Sequence, residues 1–173
     1  MPPRKERFTA LFRAEHSYVW GTLRRLGVSE RDVEDVSHEL FLRVYDKLDE
    51  YDPARPARPW LFAFAYRAAS DYRRLARHRI EVMTEHDAPT GAPSAEQALE
   101  HYDEARLVAA ALECIELDRR AVLIAYEMDD IPMKTIAEST GVPLFTAYSR
   151  LRLAREDFRA AVERLSKKRG SWS

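Results

Sequence analysis

Ile136-Ala137-Glu138-Ser139-Thr140-Gly141-Val142-Pro143-Leu144-Phe145-Thr146-Ala147-Tyr148-Ser149-Arg150-Leu151 reads as two helical patterns broken at Thr140-Gly141-Val142-Pro143. Before the break stand Ile136 and Ala137; after it Leu144, Ala147, Leu151, Ala154, Phe158, Ala161 and Leu165 recur at steps of three and four, which is one face of a long helix. Gly141 can take the positive φ that a tight turn needs, and Pro143 can open a helix because its missing N–H would have no partner there. Small Ala137 lets the two helices approach. A short helix, a glycine turn and a longer helix form a helix-turn-helix pattern, whose second helix enters the DNA major groove.

Beside the apolar stripe, at about 100° per residue, the same helix gathers Phe145, Tyr148, Ser149, Arg152, Arg155 and Arg159. From Arg150 to Arg169 there are eight Lys/Arg against three acids, so this helix is basic along its length. Two readings suit it: a DNA-binding face, or the solvated face of an ordinary bundle helix.

The chain has 173 residues, 46% of them hydrophobic, enough for one domain or two small ones with a packed core. Alternating apolar and polar residues are rare and Asn-Gly or Asp-Gly hairpin signals are absent, so the expected fold class is all-α. Cys114 is the one cysteine and can form no internal disulfide; no apolar run reaches a membrane span or a signal-peptide core. A cytoplasmic protein without membrane insertion is expected. The formal net charge of −1 conceals a division: residues 1–83 carry 16 basic and 13 acidic groups, 84–104 carry none and six, and 105–173 carry 12 and 10. Phosphate attraction follows the local field, so an acidic middle between two weakly positive lobes is compatible with nucleic acid.

Taken in order, Phe8, Leu11, Phe12, Val19, Leu23 and Leu26 trace a helical face that Gly27 would end. Ser29 with Asp32 predicts a capping-box-like start for the next helix, which buries Val33, Val36, Leu40, Val44 and Leu48 and leaves Asp35, Glu39, Asp46, Asp49, Arg43 and Lys47 on its other face. Pro53, Pro56 and Pro59 predict a stiff loop, with helix from Trp60 to about Ile80 and Leu61, Ala65, Ala68, Tyr72 and Leu75 on one side. Trp60, Phe62, Phe64, Tyr66, Arg67, Arg73, Arg74, Arg77 and Arg79 lie around the rest. Rings among cations suit single-stranded nucleic acid, which stacks bases and anchors phosphates; alternatively the rings are core and the arginines keep the helix soluble. Residues 84–96, with Pro89, Gly91 and Pro93, read as a flexible acidic linker between domains at 1–83 and 97–173. A helix near Ser94 to Ile115 follows, and Asp118 could cap the one leading to the turn.

Catalysis has little support. His38-Glu39 begins a zinc-protease signature, but Leu42 stands where the second His belongs. Asp129-Asp130 are neighbouring acids rather than carboxylates facing a common site. No glycine-rich phosphate loop is present, and neither enzyme activity nor a cofactor is expected.

Two separated stretches together resemble bacterial RNA polymerase sigma factors of the extracytoplasmic-function (group IV) class. One is Asp32-Val33-Glu34-Asp35-Val36-Ser37-His38-Glu39-Leu40-Phe41-Leu42-Arg43-Val44-Tyr45 with Trp60-Leu61-Phe62 and Asp71-Tyr72-Arg73-Arg74, similar to the family's second region. The other is Ile136-Ala137, Gly141-Val142-Pro143 and Thr146-Ala147-Tyr148-Ser149-Arg150-Leu151, similar to its fourth. The resemblance implies that Asp35, Glu39 and Arg43 dock on the β′ clamp helices of core RNA polymerase. It implies that Trp60, Arg67, Arg73, Arg74 and Arg77 recognise and melt the −10 promoter element. Lys134, Phe145, Thr146, Tyr148, Ser149, Arg152, Arg155 and Arg159 would then meet the −35 element. Promoter DNA, the polymerase β flap and an anti-sigma factor are further implied partners.

Departures from the family pattern are His38 for the usual Gln, Arg67 for Asn, Lys134-Thr135 for a frequent Glu pair, Ala147 for Val, and Leu153 for an Arg that Arg152 is placed to replace. The −35 region therefore carries over, but not the identity of its base contacts. A stand-alone helix-turn-helix regulator or a helical interaction module is the competing reading; core-polymerase binding separates the two.

Overall fold

The computed structural model describes residues 1–84 and 104–170. It is all-α among them. Helix α1 (Arg4–Arg25) leads through a turn to α2 (Val33–Asp46), a single 3-10 turn (Leu48–Glu50) and α3 (Ala57–Thr84). Then come α4 (Glu104–Glu113), α5 (Leu117–Leu123) widened at its end into a π-helical turn (Ile124–Met128), α6 (Met133–Thr140) and α7 (Leu144–Gly170). Gly27 and Gly141 hold φ of 100° and 69°, the left-handed stops expected after α1 and α6.

Several boundaries differ from expectation for identifiable reasons. Helix α2 starts at Val33, not Ser29, because the Ser29 hydroxyl donates to the Asp32 carboxylate (2.9 Å) instead of capping the backbone. That carboxylate also accepts from the Tyr72 hydroxyl (2.7 Å), and the Tyr72 bond, ahead of the Ser29 one, holds the Asp32 pKa below the usual carboxylate value. Helix α3 begins at Ala57 rather than Trp60, with Pro59 in its first turn, where a missing N–H costs no intrahelical bond. Leu75 and Leu144, expected on buried faces, are 57% and 48% exposed. Glu116 rather than Asp118 occupies the N-cap of α5, and the Asp118 carboxylate is turned to partners on other helices. The linker at 84–96 and the start of the helix near Ser94 fall, apart from Thr84, outside the described residues.

One apolar core runs through both halves of the chain. It joins Val19, Leu23, Leu40, Phe41, Leu61 and Phe62 from the first half to Leu112, Ile115, Ala121, Ile124, Ile136 and Leu151 from the second. A polar seam accompanies it. The Tyr18 hydroxyl donates to Asp129 Oδ2 (2.9 Å), and Arg25 Nη2 lies 3.6 Å from Asp129 Oδ1. The Tyr66 hydroxyl donates to Asp118 Oδ1 (2.7 Å), whose other oxygen pairs with Arg150 of α7 (3.4 Å). Burial and then the Asp118 hydrogen bond push the Tyr66 pKa up to about 12, so the phenol stays a donor. Deepest is Arg120, 3% exposed, whose guanidinium donates to the carbonyls of Ile115 (3.1 and 2.9 Å), Glu113 (3.0 Å) and, at longer range, Arg25 (3.5 Å).

The wide turn after α5 delivers Asp129 to this seam: its N–H bonds the Ile124 carbonyl (3.2 Å), and Asp130 adopts a left-handed φ of 51° that carries its own side chain outward. The Asp129 side chain is 7% exposed, and burial raises its pKa more than the Tyr18 hydrogen bond and the Arg25 and Arg58 charges lower it. A raised folded-state pKa means that stability from this group is complete below the unfolded value and is lost as pH rises through the folded one. Asparagine keeps the acceptor for Tyr18 without the buried charge. Asp129→Asn is therefore expected to match or exceed wild-type stability near neutral pH, with the difference vanishing in acid, as read from urea midpoints. A clear loss at neutral pH would show that the Arg25 ion pair outweighs desolvation.

Candidate nucleic-acid and polymerase interfaces

On α2, Val33, Leu40, Phe41 and Val44 turn into the core, which forces Asp35, His38, Glu39 and Leu42 outward. Asp35 and Glu39, four residues apart, share one exposed face. Arg43, expected with them, leans the other way onto α3: its Nη1 lies 3.5 Å from Asp71 Oδ2, and Asp71 Oδ1 takes Arg74 at 3.0 Å. The acidic face is thus a pair, with Arg43 belonging to a neighbouring ion-pair cluster.

Along α3, the rotation of about 100° per residue brings Trp60, Arg67 and Arg74 to one side. Arg67, Arg74 and Arg77 are exposed. Trp60 is half-buried: it stacks on Tyr51 (ring centroids 4.9 Å apart, 23° between planes) and meets Phe64 edge-on at 4.9 Å, so one face of the indole is already occupied. Phe62 is wholly core. Arg73 is half-buried and turned toward Arg120, which feels its charge after its own burial. Of the expected −10 set, Arg67, Arg74 and Arg77 therefore share an outer surface, while Arg73 lies toward the seam.

Helix α6 ends at Thr140, whose hydroxyl donates back to the Ile136 carbonyl (2.8 Å), and the left-handed Gly141 redirects the chain into α7. Ala147, Leu151 and Ala154 bury one side of α7, so Phe145 (81% exposed) and Tyr148 (52%) stand out from its first turns, with Ser149 half-buried beside them and Arg152 beyond. Thr146 points about 100° away from Phe145. The cations are mostly engaged: Arg150 with Asp118, Arg152 with Glu156 (3.1 Å), and Arg155 with Glu127 (2.5 Å) and over the Tyr126 ring. Exposed i,i+4 pairs such as Arg152 and Glu156 are worth only a few tenths of a kcal/mol, about 0.3–0.5, so a phosphate or base can recruit that arginine cheaply. Lys134 is exposed on α6 and lines, with Ala137, Val142, Pro143 and Leu144, a shallow cleft of about 380 Å³ beside the turn.

Sequence reasoning missed Tyr18, Tyr66, Asp118, Arg120 and Asp129 as a set. Their partners lie from 32 to over 100 positions away or on the backbone, where no local spacing reports them.

Comparison with known proteins places these surfaces in context. The Sigma-70 region 2 family model matches residues 11–79, which span most of α1 to α3. The ECF RNA polymerase sigma factor SigL of Mycobacterium tuberculosis is 32% identical over 161 residues, covering 90% of this chain and 91% of that protein. The ECF RNA polymerase sigma factor SigE of Mycolicibacterium smegmatis is 30% identical over 155 residues, and the match spans 59% of its greater length. Among solved structures, CnrH in complex with the cytosolic domain of CnrY superposes with a TM-score of 0.62 at 24% identity, covering 90% of this chain and 87% of that one. The sigma factor RpoE in complex with the anti-sigma factor NepR from Bartonella quintana gives 0.63 at 18% identity, covering 88% and 96%. At those identities the likeness establishes the fold.

Proposed function

The chain belongs to the extracytoplasmic-function RNA polymerase sigma factors, and on that premise we propose that it binds core RNA polymerase in the cytoplasm, recognises −35 and −10 promoter elements and helps open the DNA, performing no chemistry itself. The observation that carries this reading is the pairing of two unlike exposed surfaces: an acidic face on α2, and on α7 a protruding face directly after a left-handed glycine turn. Asp35 and Glu39 would engage the β′ clamp helices. Arg67, Arg74 and Arg77 would hold the −10 strand, with Arg73 joining them once it leaves the seam and Trp60 offering the exposed part of its half-buried indole. Lys134, Phe145, Tyr148, Ser149, Arg152, Arg155 and Arg159 would meet the −35 duplex, while the domain split at the acidic linker would let each half reach its own element. An anti-sigma factor is the proposed regulator, as CnrH and RpoE are each described bound to a partner of their own. Transcription in vitro with core polymerase across a promoter library tests the whole reading, and promoter-specific initiation is the expected result. Failure to bind core polymerase would favour a stand-alone regulator.

The α2 face has its own test. Replacing both Asp35 and Glu39 with alanine is expected to weaken association with core polymerase about ten-fold, close to 1.4 kcal/mol, with unchanged helix content because both side chains lie off the core. Wild-type affinity of the double variant in a titration with core enzyme would remove α2 from the docking surface.

A further inference from the structure

The face that α7 offers to DNA is aromatic at its centre and basic only at its edge. Phe145 is the most exposed large apolar side chain of the folded helices, at 81%, and Tyr148 (52%) and Leu144 (48%) extend its surface within the same turn. No cation competes with it there. Arg150, at 22% side-chain exposure, is drawn inward to Asp118; Arg152 comes two turns later, paired with Glu156; Lys134 sits across the cleft on α6. An apolar centre ringed by cations fits a surface whose rim meets phosphates and whose middle meets base edges.

We infer that Phe145 is a specificity-determining residue that reads thymine in the −35 element through its 5-methyl group, an inference that rests on the proposed placement of α7 in the major groove. In a helix-turn-helix the N-terminal residues of the second helix lie against the base edges, and Phe145 is the second residue of α7. Beside its O4 acceptor, the major-groove edge of thymine carries a methyl group that no other base presents, whereas guanine, adenine and cytosine offer acceptors or donors and no methyl. A phenyl ring has no hydrogen-bonding atom. Set against one of those polar edges it excludes water and leaves a donor or acceptor unpaired; set against the methyl it buries apolar surface on both sides. Discrimination thus comes from both attraction and exclusion. Tyr148, one turn further along the same side, adds ring surface and a hydroxyl that can reach the adjoining backbone.

The test uses holoenzyme and a −35 element selected from a randomised library, in which each thymine is then replaced singly by uracil, deleting the methyl and nothing else. Wild-type holoenzyme is expected to bind about four-fold more weakly for each methyl that Phe145 covers. Phe145→Leu should keep part of this response. Phe145→Ala should lose it at the same positions while still responding to changes in the −10 element, and its thermal unfolding should stay close to wild type because the residue is 81% exposed. A wild-type enzyme that depends on its −35 sequence yet ignores every thymine-to-uracil exchange overturns this inference alone, as does a Phe145→Ala enzyme that keeps the response. A wild-type enzyme indifferent to scrambling of the whole −35 element overturns the placement of α7 as well.

Discussion

Replacing Arg120 with alanine is expected to lower the unfolding free energy by about 3 kcal/mol, the sum of orphaned carbonyls and lost packing at a buried site. The guanidinium sits where two helices present their negative ends. Helix α4 ends at Glu113 and α1 at Arg25, and Arg120 donates to carbonyls at both ends as well as to Ile115 between α4 and α5. Those terminal carbonyls have no intrahelical partner, and a cation near a helix C-terminus is favoured by the dipole. Alanine leaves them dry and unpaired. Lysine supplies the charge without the planar fork, so Arg120→Lys is expected to recover a minor part of the loss. Burial depresses the Arg120 pKa to about 10, with the charge of Arg73 adding to it, yet that leaves the side chain charged throughout the neutral range. A folded-state pKa lowered in this way makes the charged form costlier in the fold below it, a constant cost across neutral pH, so the loss in urea midpoint should not vary there. A cost under about 1 kcal/mol would mean that water replaces the guanidinium.

Gly27 belongs to the same construction. A Cβ there would stand 2.9 Å from Arg120 Nη1, and the residue holds a φ of 100°. The glycine was legible in the sequence as a helix stop; that it also leaves room for a cation from the other half of the chain was not. The contrast is general in this molecule. Periodicity located the buried faces of α2 and α7, because Val33, Leu40, Ala147 and Leu151 are dictated by the helical repeat itself. Gly141 was legible because a turn of this kind requires φ above zero. Nothing in the chain order, by contrast, separates Arg120 from its neighbour Arg119, and only the approach of α1 and α4 makes Arg120 the buried one.

The candidate site divides in the same way. Exposure of Asp35, Glu39, Phe145 and Tyr148 followed from their being off the apolar stripe. Partnership did not: Arg43 and Arg74 share Asp71, Arg155 leans on Glu127, and Trp60 lends a face to Tyr51. Apart from the i,i+3 pair of Arg74 with Asp71 inside α3, each of these depends on a residue of another element or on a ring whose neighbour the chain order conceals. Leu144 shows the converse error, where a continuing repeat was read one step past the point at which the core ends.

Cross-linking the seam shut is expected to abolish promoter-dependent transcription while leaving the fold intact. Under the proposed function, α3 serves the −10 element and α7 the −35 element, whose centres lie some 25 base pairs apart, about 85 Å along duplex DNA. In the structure a single carboxylate bridges the two helices: Asp118 accepts from Tyr66, next to Arg67 on α3, and pairs with Arg150 on α7. Both promoter elements cannot be engaged at once in that arrangement. Residues 85–103 could reach about 65 Å at full extension, and the helices they join add their own length, so the chain can bridge the two elements once the Tyr66–Asp118 and Tyr18–Asp129–Arg25 contacts and the apolar core shared by the halves let go. Cysteines at positions 66 and 118, with Cys114 replaced by serine, can be joined by a short bismaleimide. The uncross-linked double variant should transcribe, since Tyr66 and Asp118 lie at the rim of the seam and the apolar core remains. The cross-linked form should lose at least about ten-fold in open complexes on promoters carrying both elements, the equivalent of 1.4 kcal/mol or more. It should lose less on a pre-melted template that presents the −10 strand alone. Equal transcription before and after cross-linking would mean that the two halves work as one body, and the assignment of separate promoter elements to α3 and α7 would fail with it.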